Sequence, residues 1–281
     1  MGRIAGAFGK NAARPGGKSF IGFVTGGDPS MEQSEACIVE MIRSGADLVE
    51  IGVPFSDPIA EGPVIQGANI RALKAGAGVE KIFNLAGSVR KKLRSLPEDR
   101  RDIPLVFLSY LNPVFRYGYD AFFARCAETG VDGIIVPDLP FEEQGELRRS
   151  AAPRGVDLIS MVAPTSQERI RHIAQAASGF LYIVSSLGVT GIRDSIESNV
   201  KVIVDEVRNA GIGAERLPCA VGFGINTPAQ AAAIAKFAEG VIVGSAIVKI
   251  IDEHRDNPAP FVARYVGEMK AALNPVPKAP S

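Results

Sequence analysis

The chain has 281 residues, of which 46% are hydrophobic, and it carries 31 basic and 31 acidic side chains. That is enough apolar material for one large core, and the balanced charge, without a long run of one sign, argues against nucleic acid or an anionic membrane as the main partner. No uninterrupted apolar stretch of about 18 residues occurs, so no membrane span is expected.

The opening "MGRIAGAFGKNAARPGGKSF" lacks the apolar core of a secretory signal and is read as an N-terminal extension. Short apolar runs then recur along the chain: "SFIGFVTGG" (19–27), "DLVEIGV" (47–53), "PLVFLSY" (104–110), "GIIVPDL" (133–139), "DLISMVA" (157–163), "FLYIVSS" (180–186), "CAVGFG" (219–224) and "GVIVGS" (240–245). Each is expected to be a buried parallel strand, apolar on both faces. Helical signals separate them. Ser30 with Gln33, Thr165 with Glu168, and Thr227 with Gln230 read as capping boxes, the last with Pro228 at the first helical position. Val79, Ile82, Leu85, Val89 and Leu93 form one helical stripe. "SAIVKIIDEH" after the last run is another helix. Eight strand–helix beats predict an α/β fold, a (β/α)8 TIM barrel in one domain over residues 1–273, with 274–281 as a frayed tail. An open doubly wound sheet is the alternative, but "TGGDP" after the first run is not a dinucleotide loop. The segment 54–78 is expected to be a long loop after strand 2, where barrels keep function.

Strand alternation groups Leu48, Glu50 and Gly52 on one face and Val49, Ile51 and Val53 on the other. The helix-facing side must be apolar, so Glu50 points into the barrel near the face that carries active sites. A carboxylate there is costly unless it is hydrogen-bonded, paired or used, so the alternative is a structural group bound by backbone amides. Glu61, in the loop "PFSDPIAEGP" (54–63), is a second carboxylate that could share acid and base roles with Glu50. Asp57, between Ser56 and Pro58, reads more as a turn former or partner contact. Glycines cluster in "GVTG" (188–191), "GFGIN" (222–226) and "GSAIVK" (244–249), after strands six, seven and eight. Loops after strands seven and eight often bind phosphate in such barrels.

Several chemistries are disfavoured. No lysine falls at an interior strand position, as a Schiff-base aldolase requires. His172 and His254 sit in helical patterns, and no cluster of histidines and cysteines suggests zinc. Cys37, Cys126 and Cys219 are far apart and odd in number, which suggests reduced core thiols and a cytoplasmic protein. Carboxylate acid–base chemistry on a phosphorylated substrate remains.

"LVEIGVPFSDPIAEGPVIQGAN" resembles the signature of the tryptophan synthase alpha chain family, and the likeness continues through "GFVTGGDP", "YLNPVF", "GVDGIIVPDLPFEE", "GVTG", "GFGI" and "GSAIVKII", over residues 18–273. The resemblance implies a (β/α)8 barrel that cleaves indole-3-glycerol phosphate to indole and glyceraldehyde 3-phosphate in tryptophan biosynthesis. It implies that Glu50 is the general acid–base and that Glu61 stands where the family usually has an aspartate for the indole N–H. Phe23, Tyr110 and Tyr182, with Leu108 and Ile135, would surround the indole. Thr190 would belong to the loop after strand six, and Gly191, Gly224, Gly244 and Ser245 to the phosphate cradle. No cofactor or metal is implied in this chain. Pyridoxal phosphate would belong to a partner beta chain in an alpha2beta2 assembly, contacted in part through Asp57 and Pro58. Two departures stand out: Glu61 for aspartate, and Ser186-Leu187 for the arginine-containing pair of some members. A catalytically weak paralogue that binds and activates a beta chain, and a different phosphosugar isomerase, are the competing readings.

Overall fold

A computed structural model describes residues 2–14, 16–164, 166–184, 193–210, 217–222 and 224–274, with side chains in the stretch after 193 from Val200 onward. Eight strands close into a parallel barrel in chain order: β1 (Ser19–Thr25), β2 (Leu48–Gly52), β3 (Leu105–Leu108), β4 (Gly133–Ile135), β5 (Asp157–Val162), β6 (Leu181–Val184), β7 (Cys219–Gly222) and β8 (Gly240–Val243). Each strand lies inside one of the apolar runs, and β1 closes the sheet by pairing with β8, Ser19 opposite Gly240.

The helices are α1 (Arg3–Ala12), α2 (Met31–Arg43), α3 (Pro63–Lys74), α4 (Val79–Leu93), α5 (Glu98–Arg101), α6 (Leu111–Tyr117), α7 (Tyr119–Thr129), α8 (Gly145–Ala151), α9 (Gln167–Ala176), α10 (Arg193–Asn209), α11 (Pro228–Ile234), α12 (Ser245–Glu253) and α13 (Ala259–Leu273). The outward strand residues Phe20, Val24, Val49, Ile51 and Phe107 join the apolar faces of these helices in one continuous layer. A separate inner cluster fills the barrel with Ile21, Leu48, Val106, Ile135, Ile159, Tyr182 and Ile242. The two layers follow from the two-residue period of a strand whose faces are both buried.

Local signals behave unevenly. The α4 stripe is as expected, with Ile82, Leu85, Val89 and Leu93 buried. Thr227 and Gln230 form the reciprocal capping box that starts α11 at Pro228. At α2 only half of the box forms: Ser30 accepts from the Gln33 N–H, while the Gln33 side chain reaches the Asp256 carbonyl instead. The cap of α9 is Ser166, which accepts from the Arg169 N–H, one residue beyond the expected Thr165, itself outside the described residues.

One larger expectation is corrected. The segment 54–78 is not all loop: α3 occupies Pro63–Lys74, with proline in its first turn and Ala68, Asn69 and Ala72 on its buried face. The extension before β1 is also structured. Helix α1 plugs the N-terminal end of the barrel with Ile4 and Phe8, which join the inner cluster, and Phe8 lies against Phe180 at 5.6 Å between ring centroids. Of the expected tail, residues from 275 on lie outside the described residues; Asn274 is tied down, its side chain bonding both the N–H and the carbonyl of Lys18.

Candidate active site

The C-terminal ends of the strands carry the site. Register sets Phe23 beside Glu50, and Glu50 beside Val106. Phe23 and Glu50 are inward by alternation with Ile21 and Leu48, as the sequence predicts. Phe23 is buried and packs with Ala68 of α3 and Val248 of α12, and Leu108 of β3 touches both this group and the inner cluster. Room for the Phe23 ring comes from a glycine at the end of β2 and another just past β8. A Cβ on Gly52 would lie 2.8 Å from Phe23 Cζ, and one on Gly244 would lie 3.4 Å from its ring.

Glu50 is 1% exposed, and its Oε1 is buried without a hydrogen-bond partner among the described residues. No backbone amide among the described residues donates to that oxygen. Burial pushes the Glu50 carboxyl up to about 8, because the charged form has lost water without gaining a countercharge. Such a group holds a proton at neutral pH and is poised to exchange it.

Tyr182 is buried on β6 and belongs to the inner cluster; desolvation, then the negative charge of Glu50, raises its phenol well above the ordinary value. Ile135 is fully buried on β4 at the level of Leu108. Tyr110 follows β3 and is 2% exposed. Its ring stacks on Phe55 at 5.2 Å, and its hydroxyl accepts from the Ala60 N–H at 2.9 Å, so it clamps the loop over the mouth.

Glu61 lies at the end of that loop. Burial raises its carboxyl to about 7, against a hydrogen bond from Asn69 that lowers it. The bond, Asn69 Nδ2 to Glu61 Oε2, is 2.7 Å. Asp57 is exposed, takes a hydrogen bond from the Ser56 hydroxyl, and its carbonyl accepts from the Ile59 N–H; the Pro58 carbonyl accepts from the Glu61 N–H. Those successive turns are what a turn-forming Asp57 would make.

On the opposite rim, Gly224 adopts φ +72° after β7, a left-handed backbone that glycine takes without steric cost. Gly244 begins α12 with no side chain capping it, and Ser245 is the first helical residue. The first-turn N–H groups of a helix have no intrahelical partner, and the helix dipole there favours negative charge. Thr190 and Gly191 lie outside the described residues, as does Ser186-Leu187. Among the described residues no group of three or more His, Cys, Asp or Glu could hold a metal ion, and no helix is long and apolar enough to cross a membrane. Cys37, Cys126 and Cys219 are free and buried. His172 is exposed on α9, while His254 ends α12 and stacks on Phe261.

Two residues escaped the sequence reading. Thr25 follows Phe23 on the inward face of β1, and its Oγ1 is buried without a partner among the described residues. Alternation from Phe23 was the signal that could have found it. Asn69 had no such signal, because its role depends on where α3 packs.

The fold and these side chains define a class: a (β/α)8 barrel with two carboxyl groups raised by burial and a glycine-rich rim at its C-terminal mouth. The family model for the tryptophan synthase alpha chain matches residues 10–274. The chain is 46% identical over 259 residues to the tryptophan synthase alpha chain of Lactiplantibacillus plantarum, covering 92% of this chain and 93% of that one. It is 44% identical over 278 residues to that of Geotalea uraniireducens, covering 98% and 99%. The crystal structure of tryptophan synthase subunit alpha from Legionella pneumophila superposes with a TM-score of 0.86 at 35% identity, covering 98% of this chain and all of that one. The chain belongs to the tryptophan synthase alpha chain family. The family's reaction is the lyase cleavage of indole-3-glycerol phosphate to indole and glyceraldehyde 3-phosphate, a step of tryptophan biosynthesis, and its alpha chain uses no cofactor.

Proposed function

We propose that this chain carries out the family's retro-aldol cleavage with Glu50 as general acid–base and Glu61 as acceptor of the indole N–H. Glu50 in its protonated state delivers a proton to indole C3. The resulting iminium carries positive charge at the ring nitrogen, which the Glu61 carboxylate stabilises. The glycerol hydroxyl on the carbon attached to C3 then loses its proton to Glu50, and the bond between that carbon and C3 breaks. The bonding pair returns to the ring, giving neutral indole and the aldehyde of glyceraldehyde 3-phosphate. One proton enters at carbon and one leaves from oxygen, so Glu50 is restored.

Phe23, Leu108, Tyr110, Ile135 and Tyr182 provide the apolar surface for the indole. Gly224, Gly244 and Ser245, with Thr190 and Gly191, take the phosphate. The observation that carries the reading is the inward, buried Glu50 with one oxygen that has no partner among the described residues. A steady-state assay of indole release tests it: turnover by the isolated chain, enhanced by a beta chain, is the expected result. No turnover under either condition would favour the activating paralogue.

The family's alpha chain works with a beta chain that holds pyridoxal phosphate. The loop with Asp57 and Pro58 is taken as part of that contact, in an alpha2beta2 assembly. Ile59, 82% exposed beside them, extends the apolar surface available to a partner. Residues 1–273 are taken as one domain, and the site of action as the cytoplasm.

A further inference from the structure

The carboxylate of Glu61 depends on a side chain that takes no direct part in the chemistry. Asn69 is on the buried face of α3 and is 3% exposed. Its Nδ2 donates to Glu61 Oε2 at 2.7 Å and to the Ile65 carbonyl at 2.9 Å, and its Oδ1 accepts from the Phe55 N–H at 2.9 Å. The orientation of the amide is determined by these partners: a backbone N–H requires the oxygen, and a backbone carbonyl requires the nitrogen. Phe55 opens the loop and Glu61 closes it, so one side chain holds both ends of residues 55–61 to the same helix.

That helix is itself anchored. Arg71, two residues on, makes a bidentate pair with the buried Asp28 carboxylate, at 2.8 Å for both bonds, and a second pair with Asp252 of α12 at 3.0 Å. Asp28 follows β1, so α3 is tied to the barrel on two sides. A planar guanidinium in a bidentate pair fixes direction as well as distance. The rigidity of the barrel is thereby passed through α3 and the Asn69 amide to a carboxylate at the end of an otherwise exposed loop.

We propose that Asn69 is a positioning residue for Glu61, fixing the direction of its carboxylate at the barrel mouth. The proposal rests on Glu61 being the acceptor of the indole N–H. The amide suits the task because it offers two donors and one acceptor, and all are used. Aspartate would keep the acceptor for Phe55 but lose both donors. Alanine would lose all three bonds. Glutamate at 61 is long enough to reach back to α3, which gives the longer side chain its place.

The test is a titration of the Glu61 carboxyl by 13C NMR in protein labelled at glutamate Cδ, with Glu61→Gln to assign the signal. Loss of a hydrogen bond to the charged form should raise the midpoint in Asn69→Ala by ~1 pH unit, and in Asn69→Asp it should rise further, because a like charge is added. In indole-release assays, kcat of both variants should fall about tenfold to a hundredfold, with KM changed far less, and the acid limb of the kcat/KM profile should move up with the midpoint. Asn69→Asp preserves the shape and the Phe55 bond, so it carries the test if Asn69→Ala does not fold. An unmoved Glu61 midpoint in the folded variants overturns the proposal, even if activity drops, because the loss would then be one of general structure. If the wild-type chain releases no indole, the catalytic reading fails on its own, and the titration still decides whether Asn69 holds the Glu61 carboxylate.

Discussion

Tyr182 and Gly222 face each other across β6 and β7 so closely that a Cβ on Gly222 would lie 2.4 Å from the Tyr182 phenol oxygen. The phenol occupies the space of the missing side chain, which holds the ring in the barrel beside Glu50. Gly222→Ala should therefore displace Tyr182. The expected outcome is a fall in kcat/KM of about tenfold or more, which Tyr182→Phe in the same chain does not restore, because the ring carbons Cε1 and Cζ would still lie 2.7 Å from the added Cβ. A Gly222→Ala variant with unchanged kinetics would mean that Tyr182 moves aside freely and does not shape the pocket.

The buried Glu50 makes a prediction in both activity and stability. Glu50→Gln should reduce indole release by about a thousandfold or more, in keeping with the range for a lost general acid–base, while leaving affinity for glycerol 3-phosphate nearly intact by calorimetry. Its folded-state value of about 8 lies above the ordinary 4.5. The native state then binds more protons than the unfolded chain between those values. Stability contributed by the protonated form is fully present below about 4.5 and falls as pH rises toward about 8. Glu50→Gln should flatten that slope in denaturant titrations and leave the chain more stable than wild type at pH 8 and above.

In the proposed mechanism the two carboxylates also set the pH profile: Glu61 must be ionised to accept the indole N–H and Glu50 protonated to deliver its proton. With values of about 7 and about 8, kcat/KM should rise through the first and fall through the second, giving a narrow bell. Glu61→Gln should remove the acid limb along with most of the activity. Glu61→Asp should keep measurable activity, reduced by up to about a hundredfold, since the carboxylate is withdrawn by roughly an ångström. Complete inactivation would mean the site is built around the longer side chain.

Ile59 stands 82% exposed on the loop that carries Asp57 and Pro58. Replacing it with lysine should weaken activation by a beta chain, read as a higher beta-chain concentration at half-maximal rate. Indole release by the isolated chain should stay within about twofold, because surface changes away from buried contacts have small effects.

Gly267 offers a control in stability alone. It lies within α13, and a Cβ added there meets no atom within 4 Å. Gly267→Ala should raise unfolding free energy by up to about 1 kcal/mol, through helix propensity and reduced freedom of the unfolded chain, with no change in kcat.

How far the sequence reaches can be judged from single residues. The inward direction of Glu50 was legible from Leu48-Val49-Glu50-Ile51 because a strand repeats every two residues and the apolar pair had to face the helices. The start of α11 at Pro228 was legible because a capping box is closed within four residues. The cap of α2 was only half legible, since the Gln33 side chain found a better acceptor in Asp256, far along the chain. Helix α3 was hidden by reading Pro54, Pro58 and Gly62 as the start of a longer loop, although Pro63 with Ala68 and Ala72 marks a helix.

By itself the sequence determined the eight alternating units, the inward carboxylate on β2, the glycine rim and the family, because each is written in local periodicity or in contiguous motifs. Tertiary structure decided that α1 plugs the barrel, that Gly222 makes room for Tyr182, and that Asn69 holds Glu61 while Arg71 ties α3 to Asp28. These relations join separate elements across the closed sheet. Their energies depend on distance and burial that exist only after β1 meets β8, so no local pattern in the chain announces them.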